Sequence, residues 1–123
     1  MRNTHKKIVI CGGGTGGHLF PALAVANALK AADKTIEILF VGARGKIEEK
    51  KVPAAGYSIE LLPVRGFARR LTLKNLSFFP KLIKSLWLSR KILKRFAPHA
   101  VLGVGGYAAG PVGYMAARRD IPL

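Results

Sequence analysis

Residues 7–29 read KIVICGGGTGGHLFPALAVANAL and hold the clearest structural pattern in this chain. Lys7 to Cys11 is a short, largely β-branched run that ends in glycines, as a buried parallel strand does. After the glycines, apolar residues recur at helical spacing to about Ala32, with Pro21 tolerated in the first turn. The pattern predicts a strand, a glycine-rich loop and a helix in succession.

The rest of the 123-residue chain repeats this alternation. Further strands are predicted at 36–41, 58–62 and 100–104, and further helices at 46–54, 80–96 and 111–119. Gly56 is the expected stop of the second helix, and 63–74 is expected to be a long loop. The order βαβαβαβα predicts an α/β fold with a parallel, Rossmann-like sheet that binds ligands at the carboxyl ends of its strands. Residues 121–123 resemble the start of another strand, so we expect a truncated protein.

Composition limits the class of partner. The chain has 21 basic and 6 acidic residues, a net charge of +15, and ten of the basic residues fall within 65–96, where no acidic residue occurs. Charge alone leaves nucleic acid, anionic lipid and a phosphorylated ligand open. Residues 1–7 lead directly into the first predicted strand, so we expect no signal peptide, and no apolar run of about eighteen residues occurs. The single Cys11 is interpreted as a core residue of a protein in a reducing compartment. We therefore predict one cytoplasmic domain without a membrane span.

The first glycine loop, Gly12 to Gly17, lies where backbone N–H groups and the helix dipole can receive phosphate oxygens. Its spacing also fits the dinucleotide fingerprint, but that fingerprint expects an acidic residue near the end of the second strand. Arg44 stands there instead and could accept a 2′-phosphate, so an NADP-binding domain is an alternative. A Walker phosphate loop is excluded because the Gly-Lys-Ser/Thr ending is missing.

A second glycine loop, Gly105 to Gly110, repeats the arrangement after the fourth predicted strand. Two such loops favour a ligand with two phosphates, although glycines also serve tight turns and close helix packing. His18 would stand at the N-terminus of the first helix, where its imidazole could accept a hydrogen bond or act as a base. A capping or structural histidine is the alternative.

Residues 13–26 (GGTGGHLFPALAVA) and 101–111 (VLGVGGYAAGP) closely resemble the MurG family of bacterial N-acetylglucosaminyltransferases, which act on lipid I. The resemblance covers essentially the whole chain and ends at Leu123. It implies the amino-terminal domain of a GT-B glycosyltransferase, in which two Rossmann-like domains face each other across a cleft. Residues 1–123 would then be the acceptor-binding, membrane-associating domain, and the donor domain would lie outside this chain.

The resemblance also implies a reaction. The family transfers N-acetylglucosamine, with inversion, from UDP-N-acetylglucosamine to undecaprenyl-diphosphate-N-acetylmuramyl-pentapeptide, which converts lipid I to lipid II in peptidoglycan synthesis. The implied partners are lipid I, an anionic membrane surface and, through the carboxyl-terminal domain, the UDP donor, but no nucleic acid. Residue spacing suggests no metal site, and no cofactor is expected. The enzyme would bind peripherally to the inner face of the bacterial plasma membrane, and this chain alone would not transfer sugar.

By resemblance, the two glycine loops hold the acceptor diphosphate, and His18 is a catalytic residue that assists deprotonation of the attacking sugar 4-hydroxyl. The implied diphosphate-binding residues are Gly13, Gly14, Thr15, Gly16, Gly17, His18, Gly105, Gly106 and Tyr107.

The basic third helix mixes aromatic and basic side chains in a way that suits an anionic lipid surface. The residues predicted to contact the membrane are Phe78, Phe79, Lys81, Lys84, Trp87 and Lys91. The residues of this helix predicted to face the core are Leu82, Ile83, Leu86 and Leu93. Arg69 and Arg70, in the preceding loop, are expected to guide the lipid phosphate.

Three other functions stay open from sequence. The chain could be a non-catalytic membrane-anchor subunit of a split glycosyltransferase, as in a related eukaryotic pair whose two GT-B halves are separate polypeptides. It could be the NADP-binding module considered above. A nucleic-acid binder is favoured by net charge alone and has no recognition element, so this function ranks last.

Overall fold

The structure, a computed structural model, describes residues 6–12, 16–63, 78–106 and 108–123. Its strands are β1 (Lys7–Cys11), β2 (Glu37–Ala43), β3 (Ser58–Leu62) and β4 (Ala100–Gly103). They form one parallel sheet in the order β3-β2-β1-β4. The predicted α/β fold with a parallel, Rossmann-like sheet is confirmed, and every predicted strand lies within two residues of the observed bounds.

Helices cover both faces of the sheet. In the described part of the chain they are α1 (Gly16–Ala32), α2 (Glu48–Ala54), α3 (Phe78–Phe96) and α4 (Ala109–Arg118). One face packs against α1 and α2 over buried residues such as Ile10 and Phe40. The other face packs against α3 and α4 over Val9, Cys11 and Val41. Because successive strand residues point to opposite faces, the same strands supply both clusters.

The order of the strands reverses at β1. The chain adds β2 and then β3 on one side of β1, and it returns through α3 to β4 on the other side. The carboxyl ends of β1 and β4 therefore form the switch point at which α/β sheets bind ligands. There the Gly12 N–H donates to the Val41 carbonyl oxygen at 3.1 Å, and the Val104 N–H donates to the Cys11 carbonyl oxygen at 3.0 Å. Both glycine loops thus leave the same edge of the sheet.

Three of the described helices are followed by residues with left-handed backbone, namely Gly56, Ala97 and Asp120. α2 stops at Gly56, whose φ is 91°, so the predicted stop is confirmed. The Tyr57 N–H donates back to the Val52 carbonyl oxygen at 3.2 Å and closes this end. α3 stops at Ala97, whose φ of 52° is costly for a residue with a Cβ.

The buried face of α3 differs from the prediction. Leu93 is buried as predicted, but Ile83 is 66% exposed, so its assignment to the core is wrong. The helix instead buries the face that carries Ser85 and Ser89. At 100° per residue, Ile83 lies roughly 160° around the helix from Ser85. The error arises because two of the residues that face the core are polar, with the Ser89 hydroxyl donating to the Ser85 carbonyl oxygen at 2.7 Å.

Smaller differences occur near both ends of the chain. α1 begins at Gly16, so Pro21 lies in the second turn instead of the first, and it removes one helical hydrogen bond there. Residues 121–123 are not assigned as strand, although the Val101 N–H donates to the Pro122 carbonyl oxygen at 2.8 Å. The predicted loop 63–74 lies, apart from its first residue, outside the described residues.

Candidate functional site

The two glycine loops touch each other at the switch point. Gly12 has a φ of 123°, and a Cβ on it would overlap the carbonyl oxygen of Gly105. The same Cβ would lie 2.9 Å from Cγ2 of Val104. Glycine is required here, because both the backbone conformation and the available space exclude a side chain. This close approach joins the loop after β1 to the loop after β4.

His18 packs against the second loop. It is the third residue of α1, and a Cβ on Gly105 would lie 2.7 Å from its Nδ1 and 2.8 Å from its Cε1. Gly105 has a φ of 93°, so glycine is again required by conformation and by space. Gly12, His18 and Gly105 therefore form one contiguous group, the loop cluster.

The imidazole of His18 packs against Gly105 through the edge of the ring that carries Nδ1 and Cε1. Nδ1 is buried and has no hydrogen-bond partner among the described residues. Nε2 lies farther from the second loop, 3.6 Å from the Cβ position of Gly105. A buried polar atom without a partner costs on the order of 1–3 kcal/mol, and a ligand that supplied a hydrogen bond to Nδ1 would recover that cost. Packing against Gly105 therefore fixes the position of the His18 ring and leaves its Nδ1 available to a hydrogen-bonding ligand.

Two helix N-termini meet at the loop cluster. α1 and α4 both begin at this edge of the sheet, and neither has an acidic residue in its first turn. Ala108, at the N-cap of α4, forms no side-chain cap hydrogen bond. First-turn N–H groups therefore have no carboxylate acceptor from their own helix, and the positive ends of both dipoles lie together. Phosphate and other anions prefer this environment.

Cys11, the last residue of β1, is buried next to the loop cluster. Its thiol is buried, and a Cβ on Gly103 would lie 3.9 Å from Sγ. Burial raises the pKa of the Cys11 thiol to about 12, so the side chain stays neutral at physiological pH. The thiol contributes packing and no charge, which confirms its interpretation as a core residue.

The structure describes five of the nine residues predicted to hold a diphosphate. They are Gly16, Gly17, His18, Gly105 and Gly106, while Gly13, Gly14, Thr15 and Tyr107 lie outside the described residues. Of these residues, the fold brings His18 directly against Gly105 of the second loop. Gly12 belongs to the same cluster but is missing from the predicted set. A local pattern does not reveal the approach of two loops that are distant in sequence.

A buried carboxylate closes the end of β2. Glu48 is 1% exposed, and its Oε2 accepts a hydrogen bond from the Ala43 N–H at 2.9 Å. A Cβ on Gly42 would overlap Cγ of Glu48, so this side chain covers the strand end. Arg44 lies exposed beside it. A dinucleotide-binding fold needs an open ribose site at this point, so the arrangement argues against the NADP-binding alternative.

The outer face of α3 carries exposed apolar and basic side chains. Trp87 is 58% exposed, and Lys91 Nζ lies 5.3 Å from the centre of its ring, a cation–π contact. Lys84 is exposed and Lys81 is half-buried. The structure thus brings Lys84, Trp87 and Lys91 onto one surface with the exposed Ile83. The other residues predicted for the lipid lie outside the description, namely Arg69, Arg70 and the side chains of Phe78 and Phe79.

An apolar groove of about 260 Å³ lies between α3 and α4. Its lining residues are Leu82, Leu86, Gly110, Pro111 and Tyr114. Leu82 and Leu86, predicted as core residues, are half-buried because they face this groove.

Two features are absent from the described ranges. No helix within residues 16–63, 78–106 and 108–123 is long and apolar enough to cross a bilayer. In the same described residues, no three His, Cys, Asp or Glu side chains lie close enough together to hold a metal ion.

Comparison with known proteins indicates one family. A model of the glycosyltransferase family 28 N-terminal domain matches residues 8–123. The chain is 58% identical over 116 residues to the "UDP-N-acetylglucosamine--N-acetylmuramyl-(pentapeptide) pyrophosphoryl-undecaprenol N-acetylglucosamine transferase" of Phocaeicola vulgatus. It is 50% identical over 119 residues to the protein of the same name from Amoebophilus asiaticus. These matches cover 94% and 95% of this chain but 31% and 33% of the relatives, so the chain spans about a third of their length.

A solved structure agrees with the fold. The crystal structure of Acinetobacter baumannii MurG is similar to this chain with a TM-score of 0.79 and 29% sequence identity. The match covers 95% of this chain and 33% of that chain. The similarity therefore extends through the sheet and helices that position the loop cluster.

Proposed function

Because the chain belongs to the glycosyltransferase family 28 N-terminal domain family, we propose that it is the acceptor-binding half of an inverting glycosyltransferase. The proposed reaction moves N-acetylglucosamine from UDP-N-acetylglucosamine to undecaprenyl-diphosphate-N-acetylmuramyl-pentapeptide, the lipid I to lipid II step of peptidoglycan synthesis. The names of the curated relatives support this choice of donor and acceptor. A donor-binding domain outside residues 1–123 would complete the enzyme.

The observation that carries the proposal is the direct contact within the loop cluster. A diphosphate needs two neighbouring sets of N–H donors, and here the loops that open α1 and α4 approach until no Cβ fits between them. Neither helix adds a first-turn carboxylate, so the local field favours negative charge. These features support a ligand with two linked phosphates.

We assign the role of general base to His18. It lies in the first turn of α1, so a sugar attached to a diphosphate between the loops would be near its ring. A ring nitrogen would take the proton of the sugar 4-hydroxyl while the hydroxyl oxygen forms the bond to C1 of N-acetylglucosamine. UDP would leave with the electron pair of the broken bond. Attack from the side opposite UDP inverts the configuration at C1.

The lipid tail of this acceptor requires the domain to work at a bilayer. We propose that the outer face of α3 contacts the inner leaflet of the plasma membrane peripherally, through Phe78, Phe79, Lys81, Lys84, Trp87 and Lys91. The pairing of Lys91 with the exposed Trp87 ring suits the headgroup region. Reversing the charge of the three lysines changes the charge by two units at each position and should weaken binding to phosphatidylglycerol vesicles by about 2 kcal/mol per lysine, and unchanged binding would remove this part of the proposal.

The first experiment measures binding of the chain to phosphatidylcholine vesicles with and without undecaprenyl diphosphate. Gly105→Ala should weaken the diphosphate-dependent binding by about tenfold or more, because the new Cβ displaces His18 and the loop. Gly45→Ala is the matched control. Gly45 also has a positive φ, 79°, but nothing lies within 4 Å of its Cβ position, so its substitution should leave binding close to wild type.

The outcomes separate the alternatives. Equal weakening by Gly105→Ala and Gly45→Ala would contradict a specific site, and so would NADP binding without diphosphate-dependent binding. His18→Ala should weaken diphosphate binding less than Gly105→Ala, but it should abolish sugar transfer in a protein that also contains the donor domain. Full transfer by that variant would remove the base assignment and leave the binding proposal in place.

A further inference from the structure

We propose that Arg90, Arg118 and Arg119 form a second anion site, which binds a phosphate group between α3 and α4. These residues and Met115 line a cleft of about 340 Å³. The sugar transfer proposed above uses none of them. The inference therefore stands on a different set of residues from the proposed function.

The cleft lies at the far end of α4 from the loop cluster. α4 begins at Ala109, beside the second glycine loop, and ends at Arg118. Nine steps of 1.5 Å separate these residues by roughly 14 Å, which exceeds the Debye length of about 8 Å at physiological salt. A phosphate in the cleft would therefore be held independently of one between the glycine loops.

Three exposed arginines concentrate positive charge in the cleft. None of the three arginines pairs with a carboxylate among the residues that the structure describes. Arg118 and Arg119 lie at the C-terminal end of α4, where the negative end of the helix dipole stabilises basic side chains. The dipole gives no such stabilisation to Arg90, which lines the same cleft from the interior of α3. Like charges around one cleft repel one another, and a bound anion relieves that repulsion.

Arg118 contacts Tyr114 on the preceding turn of α4. Its Nη1 donates to the Tyr114 hydroxyl at 3.4 Å, and its guanidinium lies 5.9 Å from the centre of the Tyr114 ring. A guanidinium that is already restrained loses less conformational freedom when it binds an anion. Met115 adds a half-buried apolar side chain, which strengthens charge pairing by excluding water.

The chemistry of the cleft fits a phosphate monoester or diester. Each guanidinium can donate two hydrogen bonds to one phosphate, a geometry that a lysine cannot reproduce. The cleft volume of about 340 Å³ falls in the range of small-molecule sites, roughly 300–1,000 Å³, and so admits a phosphate with an organic group attached. Tyr114, which contacts Arg118, also lines the apolar groove with Leu82 and Leu86, so the groove lies next to the cleft. The source of the phosphate is either a lipid headgroup or a free phosphate compound.

Three variants of the intact chain test the site. The Lys variant retains the net charge of +15 but removes the guanidiniums, by Arg90→Lys, Arg118→Lys and Arg119→Lys. The Gln variant removes three charges from the cleft, by Arg90→Gln, Arg118→Gln and Arg119→Gln. The control variant removes three exposed charges elsewhere, by Lys34→Gln, Lys50→Gln and Lys51→Gln. Circular dichroism and thermal unfolding check the fold of each, and the Lys variant decides the test if the Gln variant does not fold.

Two probes distinguish the sources of phosphate. Inorganic phosphate is titrated while the arginine Nε–H resonances are followed by NMR. Phosphatidylcholine vesicles with and without phosphatidylglycerol are titrated in parallel. We expect the Gln variant to bind the effective probe about tenfold more weakly and the Lys variant about threefold more weakly, with the control within about twofold of wild type.

Each result supports or overturns the site. A saturable response to inorganic phosphate indicates a free phosphate ligand, and arginine-dependent binding to phosphatidylglycerol vesicles alone indicates a headgroup. Equal losses in the Gln and control variants, with no loss in the Lys variant, would mean that net charge attracts anions without a site. That result would overturn the proposal, and so would the absence of saturable or arginine-dependent binding to both probes.

Discussion

The glycine loops and helix α3 are built by opposite means, although the loops are proposed to bind the acceptor diphosphate and α3 is proposed to contact the membrane that carries this acceptor. In the loops, binding depends on the absence of side chains, since a Cβ at Gly12 or Gly105 has no room. On α3, binding depends on side chains such as Trp87 that extend into open space. The close-packed region should tolerate no added atom, whereas the exposed surface should gain or lose its contacts in small increments.

The largest effect is expected from Gly12→Ala. The new Cβ would overlap the carbonyl oxygen of Gly105 and would sit at a φ of 123°, so we expect destabilisation on the order of 3 kcal/mol or more. Gly45→Ala has only the backbone cost of a positive φ and should lose about 1–2 kcal/mol. Urea unfolding of both variants provides the measurement. Equal losses would show that the contact between the loops adds nothing, and the contrast with α3 would fail.

An intermediate effect is expected from ionising Cys11 beneath the loops. Burial raises its pKa from 9.0 to about 12, so the folded state favours the neutral thiol. That preference is fully present below pH 9 and is lost as the pH rises from 9 towards 12. Unfolding free energy should therefore fall by about 1.4 kcal/mol between pH 8 and pH 10 because of this group. Cys11→Ala should lack this part of the decline, and an identical decline in both proteins would contradict the buried, neutral thiol.

The smallest effect is expected at the end of α3. Ala97 has a φ of 52°, and its N–H donates to the Leu93 carbonyl oxygen at 2.9 Å, so a glycine would keep the bond and relieve the backbone. Ala97→Gly should stabilise the chain by about 0.5–1 kcal/mol in thermal or urea unfolding. Ala28→Gly, at an exposed position inside α1, should destabilise it by about 1 kcal/mol. Destabilisation by both substitutions would show that Ala97 carries no strain.

The strands and the helix stops were predictable because their signals are local. Lys7 to Cys11 reads as a buried strand from its own residues, and Gly56 ends α2 for a reason contained in one residue. The errors lie where packing overrides the local pattern. Ile83 looks like a core residue but is exposed, because the buried face of α3 includes Ser85 and Ser89.

The candidate site also contains residues that the sequence identified and a residue that only the structure revealed. His18 and the glycines were identifiable from their position between a strand and a helix, where phosphate binding follows from backbone geometry. Glu48 was not identifiable, because nothing in its neighbourhood in sequence indicates that its carboxylate turns inward to the Ala43 N–H. Its burial at the end of β2 argues against NADP binding, an alternative that the sequence had left open.

Residue order alone established the alternation of strands and helices, the two glycine loops and the excess of positive charge, because each of these is a property of neighbouring residues or of composition. Tertiary structure decided which of these features meet. Gly12 contacts Gly105, and Arg90 shares a cleft with Arg118 and Arg119, only because a parallel sheet places β1 beside β4 and packs α3 against α4. Contacts between distant residues depend on how strands are ordered and helices are packed, and no local pattern contains that information.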